Sequence, residues 1–151
     1  MSRAFVKEPD GDEVADDLPE RKISSHPNYV TPRGQQLLQE QLQQAEAERQ
    51  RLQGKEEMSA KQALARVERD LRYLRQQVAQ AILVIPPDNP SEQVCFGMWV
   101  EVLEGETIRK FQIVGEDGAL NNQQLTSWVS TLAKAVLGAG VGDLGPMAKT
   151  W

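Results

Sequence analysis

Residues 94–143 decide the fold, because in this stretch short apolar segments alternate with turns that contain glycine. It begins Val94-Cys-Phe-Gly-Met-Trp-Val-Glu-Val102, continues Lys110-Phe-Gln-Ile-Val-Gly-Glu-Asp117, and ends Ser127-Trp-Val-Ser-Thr-Leu-Ala-Lys-Ala-Val-Leu-Gly-Ala-Gly-Val-Gly-Asp143. Every second residue from Val94 to Val102 is apolar, and Glu101 lies on the opposite face, which predicts one strand with a buried face. We therefore expect a small α+β domain.

Local signals place the other elements of this domain. A turn at residues 104–106 leads into a returning strand, Lys110–Val114, and Leu125–Val129 can form a third strand. Ser130 stands where an N-cap is expected, directly before a short apolar helix at Leu132–Leu137. Cys95, the only cysteine, falls inside the first strand and is interpreted as a small buried side chain.

The order of these motifs resembles the C-terminal domain of the Gre factors. The resemblance rests on Phe96-Gly97, on Ile113-Val-Gly-Glu-Asp117, on the Ser-x-x-Ser-x-Leu-Ala pattern from Ser127, and on Val141-Gly-Asp143. Gre factors are bacterial transcript-cleavage elongation factors, and Phe96–Glu101 is most similar to their GreB branch. The resemblance implies an FKBP-like antiparallel sheet packed on a short helix. It also implies docking at the rim of the secondary channel of RNA polymerase.

Two amphipathic helices are predicted before this domain. Thr31 can cap the first and Pro32 suits its first position, while Ser59 with Gln62 suggests a capping box for the second. Apolar residues then recur at helical spacing, at Leu38, Leu42, Ala45 and Leu52, and at Leu64, Val67, Leu71, Leu74, Val78 and Ala81. Helices of about 22 residues must bury these stripes against each other in an antiparallel hairpin of roughly 33 Å.

These patterns divide the chain into three segments. Residues 1–28 are expected to be a flexible acidic tail, residues 29–86 the coiled-coil hairpin, and residues 87–151 the Gre-type domain. After Asp143 at most one short strand fits, whereas the family continues with two, so we expect an incomplete sheet with an exposed edge. The hairpin either protrudes as a rod or folds onto its own globular domain.

The tip of the hairpin departs from the family pattern. In Gre factors a Gly-Asp-x-x-Glu-Asn type tip helps to hold the second magnesium ion of the polymerase for RNA cleavage. Here the tip contains Glu56 and Glu57 beside Lys55, and each helix is shorter by roughly one or two turns. Glu56 and Glu57 are the candidate metal ligands, with solvated charges as the alternative. We expect weak stimulation of cleavage or none.

Two further sets of residues are candidate contact sites. The resemblance implies polymerase docking through Asp117 and through Ser130, Thr131 and Leu132, which replace the usual Ser-Pro-Leu or Ser-Pro-Met of the family. On the second helix a basic face is formed by Arg66, Arg69, Arg72 and Arg75. This face either contacts RNA or the channel walls, or is solvated and paired with Glu68, Asp70 and the first helix.

Charge and composition restrict the function. The net charge is −5, and residues 1–28 carry four Lys or Arg against seven Asp or Glu, which argues against wrapping free DNA. No nucleophile–base pair, phosphate loop, membrane span or signal peptide is recognisable, so we expect a cytoplasmic, monomeric regulator rather than an enzyme. Its expected partner is RNA polymerase, with indirect nucleic-acid contact and no cofactor except a magnesium ion shared with the polymerase. The alternative is an interaction or chaperone-like module that does not bind polymerase.

Overall fold

The computed structural model describes residues 18–88 and 92–143. The described residues group into two units, a helical unit with residues 18–25 and 38–79, and a sheet unit with residues 26–37, 80–88 and 92–143. The elements, in chain order, are β1 Tyr29–Val30, α1 Pro32–Leu52, α2 Met58–Gln80, β2 Ile82–Leu83, β3 Trp99–Glu104, β4 Thr107–Val114, the 3-10 helix η1 Gly118–Asn121, β5 Leu125–Ser127 and α3 Thr131–Val136. The α+β prediction is confirmed. The predicted three-segment boundaries stay a prediction.

In the helical unit, α1 and α2 form the predicted antiparallel coiled coil. They have 21 and 23 residues, which corresponds to about 32 and 35 Å of helix. Two ion pairs between the helices reflect this antiparallel arrangement, since Arg49 lies 3.6 Å from Glu68 and Glu46 lies 3.8 Å from Arg75. Between the helices the buried side chains are Leu38, Leu52, Ala60, Leu71, Leu74 and Gln77. All but Ala60 and Gln77 belong to the predicted apolar stripes.

The two helix starts differ in how well the sequence predicted them. The Thr31 hydroxyl accepts a hydrogen bond from the Gly34 N–H at 2.9 Å, and Pro32 is the first residue of α1, as expected. The predicted capping box at Ser59 is wrong, because α2 already begins at Met58 and Ser59 lies inside it. Instead, the Glu57 carbonyl accepts the Lys61 N–H at 3.1 Å.

In the sheet unit, three strands lie in the order β3-β4-β5. β3 and β4 are antiparallel, with Val100 opposite Phe111, whereas β5 runs parallel to β4. The expectation of an entirely antiparallel sheet is therefore wrong for β5. A tight hairpin between β4 and β5 would make the two strands antiparallel. The chain instead passes through η1 between them, and this longer connection lets β5 run parallel to β4. The core consists of Val100, Phe111, Ile113 and Ala133.

The first predicted strand is shorter than its apolar pattern. β3 begins at Trp99, because Gly97 adopts a φ of +88° and its N–H donates to the Ile113 carbonyl at 2.7 Å. Val94 and Phe96 still pack against the core from outside the strand. Cys95 is consequently not a strand residue, and its side chain is only half-buried.

A short parallel pair, β1 with β2, was not predicted. Tyr29 lies opposite Ile82, and Val30 lies opposite Leu83. The Val30 carbonyl also accepts the Val84 N–H at 2.9 Å. This pair connects β1, which precedes Thr31 and α1, with β2, which follows α2. It is therefore a contact between segments that are far apart in the sequence.

Candidate functional site

The carboxylates at the hairpin tip are solvent-exposed. Glu56 and Glu57 lie in the connection between α1 and α2, and Lys55 beside them is exposed as well. Within residues 18–88 and 92–143, no group of three or more His, Cys, Asp or Glu side chains could hold a metal ion. Glu56 and Glu57 alone can supply only part of a coordination sphere, so a metal there would need ligands from another molecule.

The basic face of α2 is extensively ion-paired. Arg69 reaches Asp70 at 3.4 Å and Arg75 reaches Glu46 of α1 at 3.8 Å. Arg66 is exposed. These contacts agree with the interpretation in which acidic neighbours and the first helix pair with the arginines. They leave contact with RNA or a channel wall as a prediction.

The remaining arginine of this face is held by a segment that we expected to be flexible. Glu20 accepts two hydrogen bonds from the Arg72 guanidinium, at 2.7 and 2.5 Å. The hydrogen bond from Arg72 holds the pKa of the Glu20 carboxyl below its ordinary value and raises the pKa of Arg72. Glu20 and Arg21 belong to the segment that was predicted to be a flexible tail, and the structure places both against α2. Residues 1–17 of that segment lie outside the described residues.

Arg21 attaches the same segment to the helix at two further places. Its guanidinium lies 3.3 Å from an Asp70 carboxylate oxygen and 3.8 Å from the centroid of the Tyr73 ring. Glu20 thus pairs with Arg72 of the basic face, while Arg21 pairs with Asp70 beside that face. The sequence contains this complementarity, but nothing in it selects these partners from the many other charged residues.

The predicted docking residues lie at the starts of two short helices. The Ser130 hydroxyl caps α3 by accepting the Ala133 N–H at 3.1 Å, as predicted. Thr131 is exposed, and Leu132 packs against the core. Asp117 precedes η1, and its carbonyl accepts the Leu120 N–H at 3.2 Å. Both short helices contact β5, so one strand supports the two groups.

An apolar groove along β3 was not predicted as a site. It has a volume of about 630 Å³ and lies between β3, α3 and residues 139–143. The sequence predicted an exposed strand edge. The groove additionally requires that α3 lies across from β3, and this arrangement was not predicted. No sequence signal gives that separation, because it depends on how the core side chains pack.

Comparison with known proteins shows similarity to the Gre factors. Residues 89–144 match the family described as transcription elongation factor GreA/GreB, C-terminal. The chain is 29% identical over 133 residues to the transcription elongation factor GreB of Neisseria meningitidis serogroup A, covering 77% of this chain and 82% of the relative. It is 36% identical over 85 residues to GreB of Pseudomonas putida, covering 55% of this chain and 52% of the relative.

Other similarities concern GreA and a solved structure. The chain is 33% identical over 87 residues to GreA of Nautilia profundicola, covering 56% of this chain and 54% of the relative. It therefore spans about half the length of this GreA and of the P. putida GreB. The structure of GreA factor homolog 1 (Gfh1) of Thermus thermophilus matches with 24% identity and a TM-score of 0.35, over 78% of this chain and 87% of that chain. A likeness at this level carries no argument about this chain.

One property of the helices completes the description. None of the helices in the described parts of the chain is long and apolar enough to cross a membrane. The similarity to the Gre factors lies in the matched C-terminal residues and in the alignments with the GreB and GreA relatives. Residues 89–144 match the family of Gre-type C-terminal domains, and the chain is similar to GreB and GreA transcription elongation factors.

Proposed function

We propose that this protein is a transcription elongation regulator that binds bacterial RNA polymerase at its secondary channel. The match of residues 89–144 to the GreA/GreB family and the similarity to GreB support this proposal. In the Gre resemblance, the C-terminal domain docks at the channel rim and the hairpin enters the channel. The docking residues of this chain are then Asp117, Ser130, Thr131 and Leu132, of which Thr131 is exposed at the start of α3.

The hairpin is proposed to occupy the channel with little or no stimulation of transcript cleavage. The observation that carries this part is the tip, where Glu56 and Glu57 lie in the connection between helices of 21 and 23 residues. Losing a single turn from each helix withdraws a tip by about 5 Å. A carboxylate must approach a magnesium ion to about 2.1 Å, so an error of that size removes it from the coordination sphere.

The charge of the tip also argues against a productive magnesium site. Lys55 directly precedes Glu56 and Glu57 in the sequence, and a nearby cation competes electrostatically with a metal ion for their carboxylates. Glu56 and Glu57 also lack the separation of the family's Asp-x-x-Glu motif. The protein is proposed to bring no cofactor of its own, and any magnesium near its tip would belong to the polymerase.

The basic face of α2 is proposed to meet acidic channel walls or RNA. In the structure, Arg72 is paired with Glu20, and Arg75 with Glu46. These pairs are half-exposed and individually weak, so a more acidic surface could replace them at small cost. Contact with nucleic acid would be indirect, through the elongation complex.

Binding to core RNA polymerase tests this proposal. The full-length protein should bind core polymerase in a gel-shift or pull-down assay and should compete with an authentic Gre factor. Thr131→Glu should weaken binding at least tenfold, because Thr131 is exposed and the glutamate changes the docking surface rather than the core. Thr107→Glu, at an exposed position of β4, is the matched control and should bind normally.

The assay also distinguishes the rival function. If the wild-type protein fails to bind polymerase under conditions in which a Gre factor binds, the polymerase proposal is wrong. The protein would then be an interaction or chaperone-like module that keeps the fold alone. If it binds, but Thr131→Glu binds equally well, polymerase binding stands and the assignment of the docking residues is wrong.

A further inference from the structure

A short segment before the hairpin lies against the second helix. Residues 18–23, which we call the strap, belong to the helical unit together with most of α2. Two consecutive side chains of opposite charge make its contacts. Glu20 accepts hydrogen bonds from the Arg72 guanidinium, and Arg21 lies over the ring of Tyr73. The strap therefore occupies a charged group and an aromatic group of α2 at once.

The contact at Arg72 has the form of a phosphate contact. One Glu20 carboxylate oxygen accepts from Nε at 2.7 Å, and the other accepts from a terminal nitrogen at 2.5 Å. The same two donors of a guanidinium bind two oxygens of a phosphate, because the planar fork matches both anions. Glu20 and a phosphate group therefore exclude each other at this edge of Arg72.

The contact at Tyr73 has the form of a base contact. The guanidinium carbon of Arg21 lies 3.8 Å from the centroid of the Tyr73 ring, and Asp70 holds the same guanidinium at 3.3 Å. Bases of single-stranded nucleic acids stack on exactly this kind of aromatic face. Arg21 and a base therefore compete for one side of the Tyr73 ring.

The surroundings of Arg72 add positive charge. A cavity of about 210 Å³ beside it is lined by Arg49, Glu68, Leu71, Arg72 and Arg75. The single carboxylate of this lining lies 3.6 Å from Arg49 and is thereby partly neutralised. Arginines next to an aromatic ring are typical of sites that bind single-stranded nucleic acid. An acidic protein surface would pair with the arginines but would make no use of Tyr73, so these observations favour a nucleic acid.

The acidic residue next to this site keeps a partner when the strap leaves. Asp70 is shared, since it lies 3.3 Å from Arg21 and 3.4 Å from Arg69. Departure of Arg21 therefore leaves Asp70 paired with Arg69. Release of the strap frees the Arg72 fork and one face of Tyr73 without leaving an unpaired carboxylate between them.

We propose that the strap is an autoinhibitory mimic of a nucleotide and that it closes a site for single-stranded RNA at Arg72 and Tyr73. The Glu20 carboxylate takes the place of a phosphate, and the Arg21 guanidinium takes the place of a base. The strap competes at a high effective concentration because it is part of the same chain. This inference rests on the part of the proposed function in which the basic face meets RNA, and it adds the regulation of that contact.

The test measures binding of a fluorescently labelled oligouridine to the full-length protein by polarisation, without polymerase. Glu20→Gln should tighten binding about three- to fivefold, which is the range that an exposed ion pair contributes. Arg21→Ala should also tighten binding, although it removes a positive charge. Lys22→Ala is the matched control, because it removes the same charge at an exposed position of the strap and should leave binding unchanged or weaker.

Variants of the site itself provide the second comparison. Tyr73→Leu keeps an apolar side chain but cannot stack, so it should weaken binding about fivefold or more, whereas Tyr73→Phe should bind within about twofold of the wild type. Arg72→Gln should weaken binding as well. Adding Glu20→Gln to Arg72→Gln should then have no further effect, because both substitutions act on one contact. Melting temperatures verify that each variant is folded.

Four results would overturn the proposal. Equal weakening by Arg21→Ala and Lys22→Ala would show that charge alone governs binding. Unchanged binding by Tyr73→Leu would exclude the stacked base. Displacement of the RNA by oligoglutamate as strongly as by unlabelled oligouridine would identify an acidic protein surface as the ligand. Finally, absence of RNA binding by Glu20→Gln would remove the site, and this failure is distinct from a failure to bind polymerase, which is measured separately.

Discussion

At the scale of single residues, Gly115 connects two distant parts of the sheet unit. A β-carbon placed on this residue would lie 2.2 Å from the Tyr29 carbonyl oxygen. This distance is far below van der Waals contact, and the neighbour is backbone rather than a flexible side chain. The close approach of β1 to the end of β4 therefore requires the absence of a side chain at position 115.

Gly115→Ala should lower the free energy of unfolding of the sheet unit by at least about 2 kcal/mol, because the backbone must separate to admit the methyl group. The measurement is thermal unfolding followed by circular dichroism. Gly118→Ala is the matched control, since its β-carbon would meet the Val114 side chain at an ordinary 3.5 Å. Equal melting temperatures for the two variants would contradict the proposed close contact.

Glu20 makes a second prediction at this scale. Its pKa is lowered by the hydrogen bond from Arg72, so the contact is complete above the ordinary value of 4.5 and is lost as the pH falls below it through the lowered value. The Arg72 Nε–H resonance should shift over this acidic range, and Glu20→Gln should produce the shifted position already at neutral pH. Arg51, which pairs with Glu48 on α1, should be unaffected by Glu20→Gln. An Arg72 resonance insensitive to the substitution would show that the segment is not held there in solution.

At the scale of elements, the hairpin depends on the apolar seam between α1 and α2. Leu71 is only 1% exposed and lies at the centre of the second helix's stripe. Leu38, Leu52 and Leu74 are buried in the same unit. Removing apolar contact at Leu71 or placing a charge there should separate the helices, because neither helix has another apolar face to bury.

Leu71→Asp should cost at least about 3 kcal/mol of stability, since it both removes a buried leucine and buries a carboxylate. Helix content and melting temperature should both fall. Gln76→Asp introduces the same side chain at an exposed position of α2 and should leave both values nearly unchanged. If the two variants behave alike, the assignment of Leu71 to the seam is wrong.

The elements also show how far sequence reasoning reaches. Thr31, Pro32 and Ser130 were predicted correctly, because a helix start is specified by neighbouring residues. The β1–β2 pair and the parallel direction of β5 were not predicted, because they depend on where distant segments meet. The contacts of Glu20 and Arg21 were missed for the same reason. The candidate residues at the tip and on α3 could be found from their places in the sequence. The groove could not, because its shape depends on how the side chains of the core pack.

At the scale of the whole molecule, the central claim is that the protein binds polymerase but contributes little to transcript cleavage. The seam and the helix ends position the tip, and the tip offers Glu56 and Glu57 beside Lys55. The C-terminal domain supplies docking in the proposal, so binding and cleavage should be separable. A protein of this design would compete with cleavage factors without replacing them.

The most direct measurement uses a backtracked elongation complex with magnesium and a saturating amount of this protein. Release of short 3′ RNA fragments is followed over time, with an authentic Gre factor as the positive control. The account predicts fragment release close to the rate without any factor, together with inhibition of the Gre factor when both proteins are present. Rapid release that is abolished by combining Glu56→Ala with Glu57→Ala would contradict it, because it would show that this tip reaches the catalytic magnesium.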